Sequence, residues 1–177
     1  MKTVAATLFQ ELEHVLSNRQ LRPSVFQIIK SCSVLASQHR YVAILRCFDQ
    51  LLLRGKLWQT LESSRHKIEV VSSTRKNKYE ATASTTYDEK TYTFKITLRL
   101  PHANDTIPST ANVGGMACIR ETCLIALLAH EFVHVLEIIL RHELKVYIGF
   151  SNVDMKNIVF TTWLRILFAQ LHDRNVI

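Results

Sequence analysis

The chain has 177 residues, 47% of them apolar, with only four glycines and three prolines. That composition excludes a disordered or fibrous chain and suits one domain with a sizeable core. A formal charge of +7 and a pI near 9.4 favour polyanionic partners, and no uncharged apolar run is long enough to span a membrane.

Residues 1 to 62 carry helical periodicity. The N-terminal stretch MKTVAATLFQELEHVL has its apolar patch broken by Glu11 and Glu13, so it lacks the continuous apolar centre of a secretory signal. A soluble, intracellular protein of the cytoplasm or nucleus is expected, with no membrane association. Glu11, Leu12, Val15 and Leu16 begin an amphipathic helix, and Pro23 opens a second through Ile28, Ile29, Cys32 and Leu35. A third is predicted from about Tyr41 to Leu53, with Val42, Ile44, Leu45, Phe48, Leu51 and Leu52 on its buried side. Gly55 stops it at the C′ position.

The pattern changes at His66. KIEVVSS (67–73), YEATAST (79–85) and TYTFKITLRL (91–100) alternate in polarity and are rich in β-branched and aromatic residues. Three strands of an antiparallel meander are predicted, joined by turns at Arg75-Lys76-Asn77-Lys78 and Asp88-Glu89-Lys90. Pro101 ends the third strand, and 102–115 reads as a long loop. A long apolar helix is predicted from about Ala117 to Arg141, and an amphipathic one from Val153 to about His172. The fold class expected is therefore α+β: N-terminal helices, a small three-stranded meander, a buried helix and a C-terminal helix. Cys32, Cys47, Cys118 and Cys123 form no C-x-x-C pair, which argues against a zinc ribbon or redox motif and for buried thiols.

The apolar helix contains LLAHEFVHVLEII (127–139), and its apolar side chains cover every side. Such a helix is buried, and burying His130, Glu131 and His134 without partners costs several kcal/mol. A metal ion or a structural hydrogen-bond network would offset that cost. His130-Glu131-Phe132-Val133-His134 is an H-E-x-x-H motif: residues i and i+4 share a helical face, so two imidazoles can hold one metal. Glu131 is then placed to take a proton from water at the open position, and zinc, Zn2+, suits such ligands. A catalytic zinc needs a third protein ligand. Glu137 suits orienting a histidine better than binding the metal, and His142 and Glu143 lie too far along a continuous helix. The remaining candidates beyond about residue 145 are Asp154 and the distant His172.

Three segments carry a family resemblance. CFDQLLLRGKL (47–57) looks like a helix ending in a Phe-x-Gly-x-Leu-type turn, and residues 68–100 like a meander with a Ser-x-Arg segment before its middle strand. GGMACIRETCLIALLAHEFVHVLEII (114–139) looks like an active-site helix with Cys and Arg ahead of its motif. Together they resemble the SprT-like (Spartan-type) zinc metallopeptidase domain, in the compact versions found in large DNA viruses. The resemblance covers roughly residues 44 to 172, which implies an N-terminal helical extension (1–42) and a zincin-like metallopeptidase domain (43–177). The family supplies a third histidine in the segment after the active-site helix. In this chain Ser151 falls where that histidine would be, and Asp154 lies one turn on.

Two functions follow. The resemblance implies a zinc-dependent endopeptidase acting on DNA-associated protein substrates, with His130 and His134 on the metal and Glu131 as general base. The Ser151 departure suits a catalytically degenerate domain that binds DNA or serves as a structural or interaction protein. Arg65, His66 and Lys67, with Arg75, Lys76 and Lys78, cluster around the first two strands as phosphate contacts or as a solvated turn.

Overall fold

The computed structural model describes residues 2–21, 23–74, 83–100, 110–113 and 116–144. Helix α1 (Lys2–Ser17), a 3-10 turn (Arg19–Leu21), α2 (Val25–Ser37), α3 (Tyr41–Leu53) and α4 (Lys56–Ser63) precede strands β1 (Lys67–Thr74), β2 (Ala83–Asp88) and β3 (Thr93–Leu100). A hairpin of β4 (Thr110–Val113) and β5 (Met116–Ile119) leads into α5 (Arg120–Leu144). The fold is α+β, as its sequence pattern predicts.

Local chemistry explains the helix boundaries. Ser24 and Gln27 form a reciprocal capping box at the start of α2: Gln27 N–H donates to the Ser24 hydroxyl (3.2 Å), and Ser24 N–H to Gln27 Oε1 (2.8 Å). At the end of α3, Arg54 (φ 51°) and Gly55 (φ 78°) take left-handed conformations that let the chain reverse directly into α4. Gly55 has no side chain to cap α4, so Asp49 of α3 does it from a distance. Its two carboxylate oxygens accept from Leu57 N–H (2.9 Å) and Trp58 N–H (2.8 Å). Burial outweighs these donors and nearby Arg46 and leaves the Asp49 pKa above the ordinary carboxylate value.

Leu8 and Leu12 of α1, Ile28 and Cys32 of α2, Ile44, Leu45 and Phe48 of α3 and Leu57 and Leu61 of α4 converge on one core with α5. Helices α1, α2 and α3 all pack against α5, so the N-terminal pair shares this core. Phe48 meets Phe132 edge-on, with ring centroids 5.8 Å apart. Ile125, Leu128, Val135, Ile139 and Leu140 are at most 1% exposed on one arc of α5, whereas His130 and Arg141 on the opposite side are exposed, so the expected burial all round the helix does not extend to His130.

The sheet departs from the expected antiparallel meander. Its order is β1-β3-β2: β2 pairs antiparallel with β3, but β1 lies on the other side of β3 and runs parallel to it. The reason is burial. Phe94, Ile96 and Leu98 of β3 are fully buried, whereas Ile68 and Val70 of β1 are only partly so. The most apolar strand takes the centre, and alternation alone does not distinguish this order from a meander. Among the described residues the second strand covers 83–88, running past the expected end at 85, and the third starts at Thr93.

Two further expectations are corrected. Residues 110–119 hold the paired strands β4 and β5 in place of loop and early helix, and α5 begins at Arg120. The predicted turn at 75–78 and the C-terminal helix from Val153, with Ser151, Asp154 and His172, lie outside the described residues. No helix among the described residues is long and apolar enough to cross a membrane.

Candidate metal centre

Helix α5 brings His130 and His134 onto one face, one turn apart. Their Nε2 atoms lie 3.1 Å from each other, and the rings meet edge-on with centroids 4.8 Å apart. Two Nε2 atoms on one tetrahedral zinc, at bonds of about 2.0–2.1 Å, stand about 3.3–3.4 Å apart. The pair therefore fits a first-row metal with little rearrangement. Glu137 adds an outer contact, its Oε2 lying 3.3 Å from His134 Nδ1, in the usual carboxylate–histidine arrangement of a metal-site imidazole.

The two imidazoles titrate in opposite directions. His134 is raised above the ordinary histidine value, chiefly by its hydrogen bond to Glu137. His130 is exposed as a residue, yet desolvation is the largest cause of a pKa below that value, followed by the neighbouring His134; Glu131 and Glu137 act the other way. In the metal-free chain these directions suit a His134 Nε2–H donating to the His130 Nε2 lone pair.

Glu131 is 2% exposed. Thr85 of β2 donates a 2.6 Å hydrogen bond to its Oε2, across 46 residues of sequence. Oxygen-to-carboxylate bonds this short are charge-assisted and directional, so the carboxylate is held in place on the inner side of α5. The sequence identifies Glu131 but not its partner. Thr85 alternates with Tyr87 on one face of β2, and only the packing of α5 against that strand gives either residue a role.

A second polar group lies at the end of α5. One ligand atom from each of His66, His142 and Glu143 lies within 4.8 Å of the others. His66, at the junction of α4 and β1, is 6% exposed, and its Nε2 lies 2.8 Å from the Tyr87 hydroxyl. Its Nδ1 is buried without a hydrogen-bond partner among the described residues. Burial is the main cause of its lowered pKa; Glu143 opposes the shift and His142 adds to it. The Tyr87 hydroxyl is pushed up to about 12, first by burial and then by Tyr92 and nearby carboxylates. In the sequence His66 stands only in a basic cluster, and His142 and Glu143 lie too far from the H-E-x-x-H motif to join it.

That distance stands: α5 continues through Leu144, and His142 lies about 12 Å along the axis from His134. Among the described residues, no third ligating side chain joins His130 and His134. Asp154 and Ser151 fall outside those residues. Comparison with protein families, curated proteins and solved structures finds no match for this chain.

Proposed function

We propose that this chain is a zinc-dependent metalloendopeptidase with a zincin-like, SprT-type architecture, acting on DNA-associated proteins. The observation that carries this reading is the 3.1 Å approach of the His130 and His134 Nε2 atoms beside a buried, anchored Glu131. His130 and His134 would hold the zinc, which when bound supplies Lewis acidity toward a scissile carbonyl and toward water. Glu131 acts as general base: it accepts the proton of the attacking water and returns it to the leaving amine. Thr85 fixes one oxygen of that base, and Glu137 orients His134. The net charge of +7 supports recruitment near nucleic acid.

The test is Glu131→Gln, assayed on a histone substrate with and without single-stranded DNA. The variant keeps the zinc content of the wild type and loses cleavage. Cleavage retained at the wild-type rate refutes the mechanism.

One observation favours a second reading. Ser151 stands where the resemblance calls for a histidine, and no third ligand is found among the described residues. On that reading the domain is catalytically degenerate and serves as a DNA-binding or structural protein. Its sign is substoichiometric zinc at the motif, with a melting temperature indifferent to chelator.

A further inference from the structure

We propose that His66, His142 and Glu143 form a second divalent-cation site of zinc type, which pins the last turn of α5 to the junction of α4 and β1. The inference is independent of the H-E-x-x-H reading, because His142 lies about 18 Å along the helix axis from His130. One ion cannot serve both groups.

The geometry begins with His66. Its ring is enclosed by Tyr87, Tyr92, Phe94 and His142, with centroid separations of 5.6, 5.4, 5.7 and 5.4 Å. A histidine kept in a core for packing uses both ring nitrogens, since a buried one left unpaired costs about 1–3 kcal/mol. Here Nε2 meets the Tyr87 hydroxyl at 2.8 Å, and Nδ1 has no partner among the described residues. With Nε2–H donating to the phenol oxygen, Nδ1 carries a lone pair. A ligating imidazole is built this way, with one nitrogen for the metal and the other fixed by an outer hydrogen bond.

The partners come from α5. His142 and Glu143 are consecutive on a helix, and consecutive side chains normally diverge. Yet His142 Nδ1 lies 3.3 Å from Glu143 Oε1, and both residues supply an atom to the group around His66. Ligand atoms on a tetrahedral zinc stand about 3.3–3.4 Å apart, so three atoms within 4.8 Å close on an ion by side-chain rotation alone. Two imidazoles and a carboxylate suit zinc above magnesium or calcium, which prefer oxygen throughout. The set leaves one position open.

The experiment is zinc per chain by elemental analysis, on tag-free full-length protein equilibrated with zinc and gel-filtered. Four proteins are compared: wild type, His130→Ala/His134→Ala, His142→Ala/Glu143→Gln, and all four changes together. His130→Ala/His134→Ala is expected to hold one zinc and the quadruple variant none. A His130→Ala/His134→Ala protein without zinc overturns the proposal, as does zinc that persists in the quadruple variant. Failure of the H-E-x-x-H reading appears elsewhere, as a His142→Ala/Glu143→Gln protein with no zinc.

Should the quadruple variant not fold, cobalt added to the His130→Ala/His134→Ala protein gives the second readout. A tetrahedral visible spectrum and a melting temperature lowered by chelator are expected. No spectrum, with melting unmoved by chelator, overturns the proposal.

Discussion

Thr85→Val isolates the one hydrogen bond through which the sheet holds the buried acid of α5. Threonine and valine have nearly the same shape and similar strand propensity, so the substitution removes the hydroxyl and little else. The lost bond is 2.6 Å long and ends on a carboxylate 2% exposed. Hydrogen bonds to charged groups contribute about 1.5–3 kcal/mol, and that is the stability loss expected. For a chain of this length it lowers the melting temperature by roughly 3–12 °C. Urea unfolding followed by circular dichroism measures the change, and Thr85→Ser is expected to recover most of it. In a Glu131→Gln background the same substitution breaks a neutral bond and costs roughly 0.5–1.5 kcal/mol, so the double-mutant cycle leaves a coupling of about 1 kcal/mol. A Thr85→Val loss under about 0.5 kcal/mol refutes the reasoning, because a buried carboxylate deprived of its donor is not cheap. If Glu131 is the base, Thr85→Val also lowers kcat with zinc content unchanged, as expected of a positioning residue.

Three further predictions concern other parts of the fold. Asp49→Asn leaves one of the two α4 N–H donors without an acceptor and destabilises the protein by about 1–3 kcal/mol at neutral pH, measured by urea unfolding. Because the folded-state pKa of Asp49 is raised, its proton is bound more tightly in the fold. Its contribution is thus fullest below the unfolded value of about 3.9 and declines as pH rises through the folded one, so the wild-type advantage over Asp49→Asn narrows from pH 4 to 7; a widening gap contradicts the assignment. Cys32 is buried, and burial followed by the adjacent Cys47 pushes its thiol far up, so peptide mapping after brief iodoacetamide treatment should find it unmodified in folded protein and modified in urea. Replacing Arg75, Lys76 and Lys78 together by Ala is expected to flatten the salt dependence of DNA binding, and an unchanged slope excludes them as phosphate contacts.

Helix α3 was legible to the residue, because its apolar stripe and Gly55 mark both face and end. The start of α2 was legible from Pro23, whereas the Ser24–Gln27 capping box, whose S-x-x-Q spacing is its signature, was not read. Helix α4 was not distinguished: its eight residues have no capping side chain of their own, and the acceptor comes from Asp49 across the turn. The strand order was hidden for a related reason, since alternation reveals which face of a strand is buried but not which strand is central.

The polar groups of α5 illustrate the same limit. The spacing of His130, Glu131 and His134 is a property of a single helix, and it is visible without knowing what the helix packs on. The donor that satisfies its buried Glu131 comes from β2, where Thr85 supplies it, while Tyr87 of the same strand bonds to His66, outside α5. In sequence those two residues signal only a strand. Two apart on β2, they face the same way, one hydroxyl bonding to α5 and the other to His66 at the junction of α4 and β1. An edge strand is where such contacts belong: among the described residues no strand pairs with its outer side, and its apolar content is low, so hydroxyls there displace no packing from the Phe94–Ile96–Leu98 row at the centre. The order β1-β3-β2 therefore also leaves Thr85 on the edge strand from which it holds Glu131.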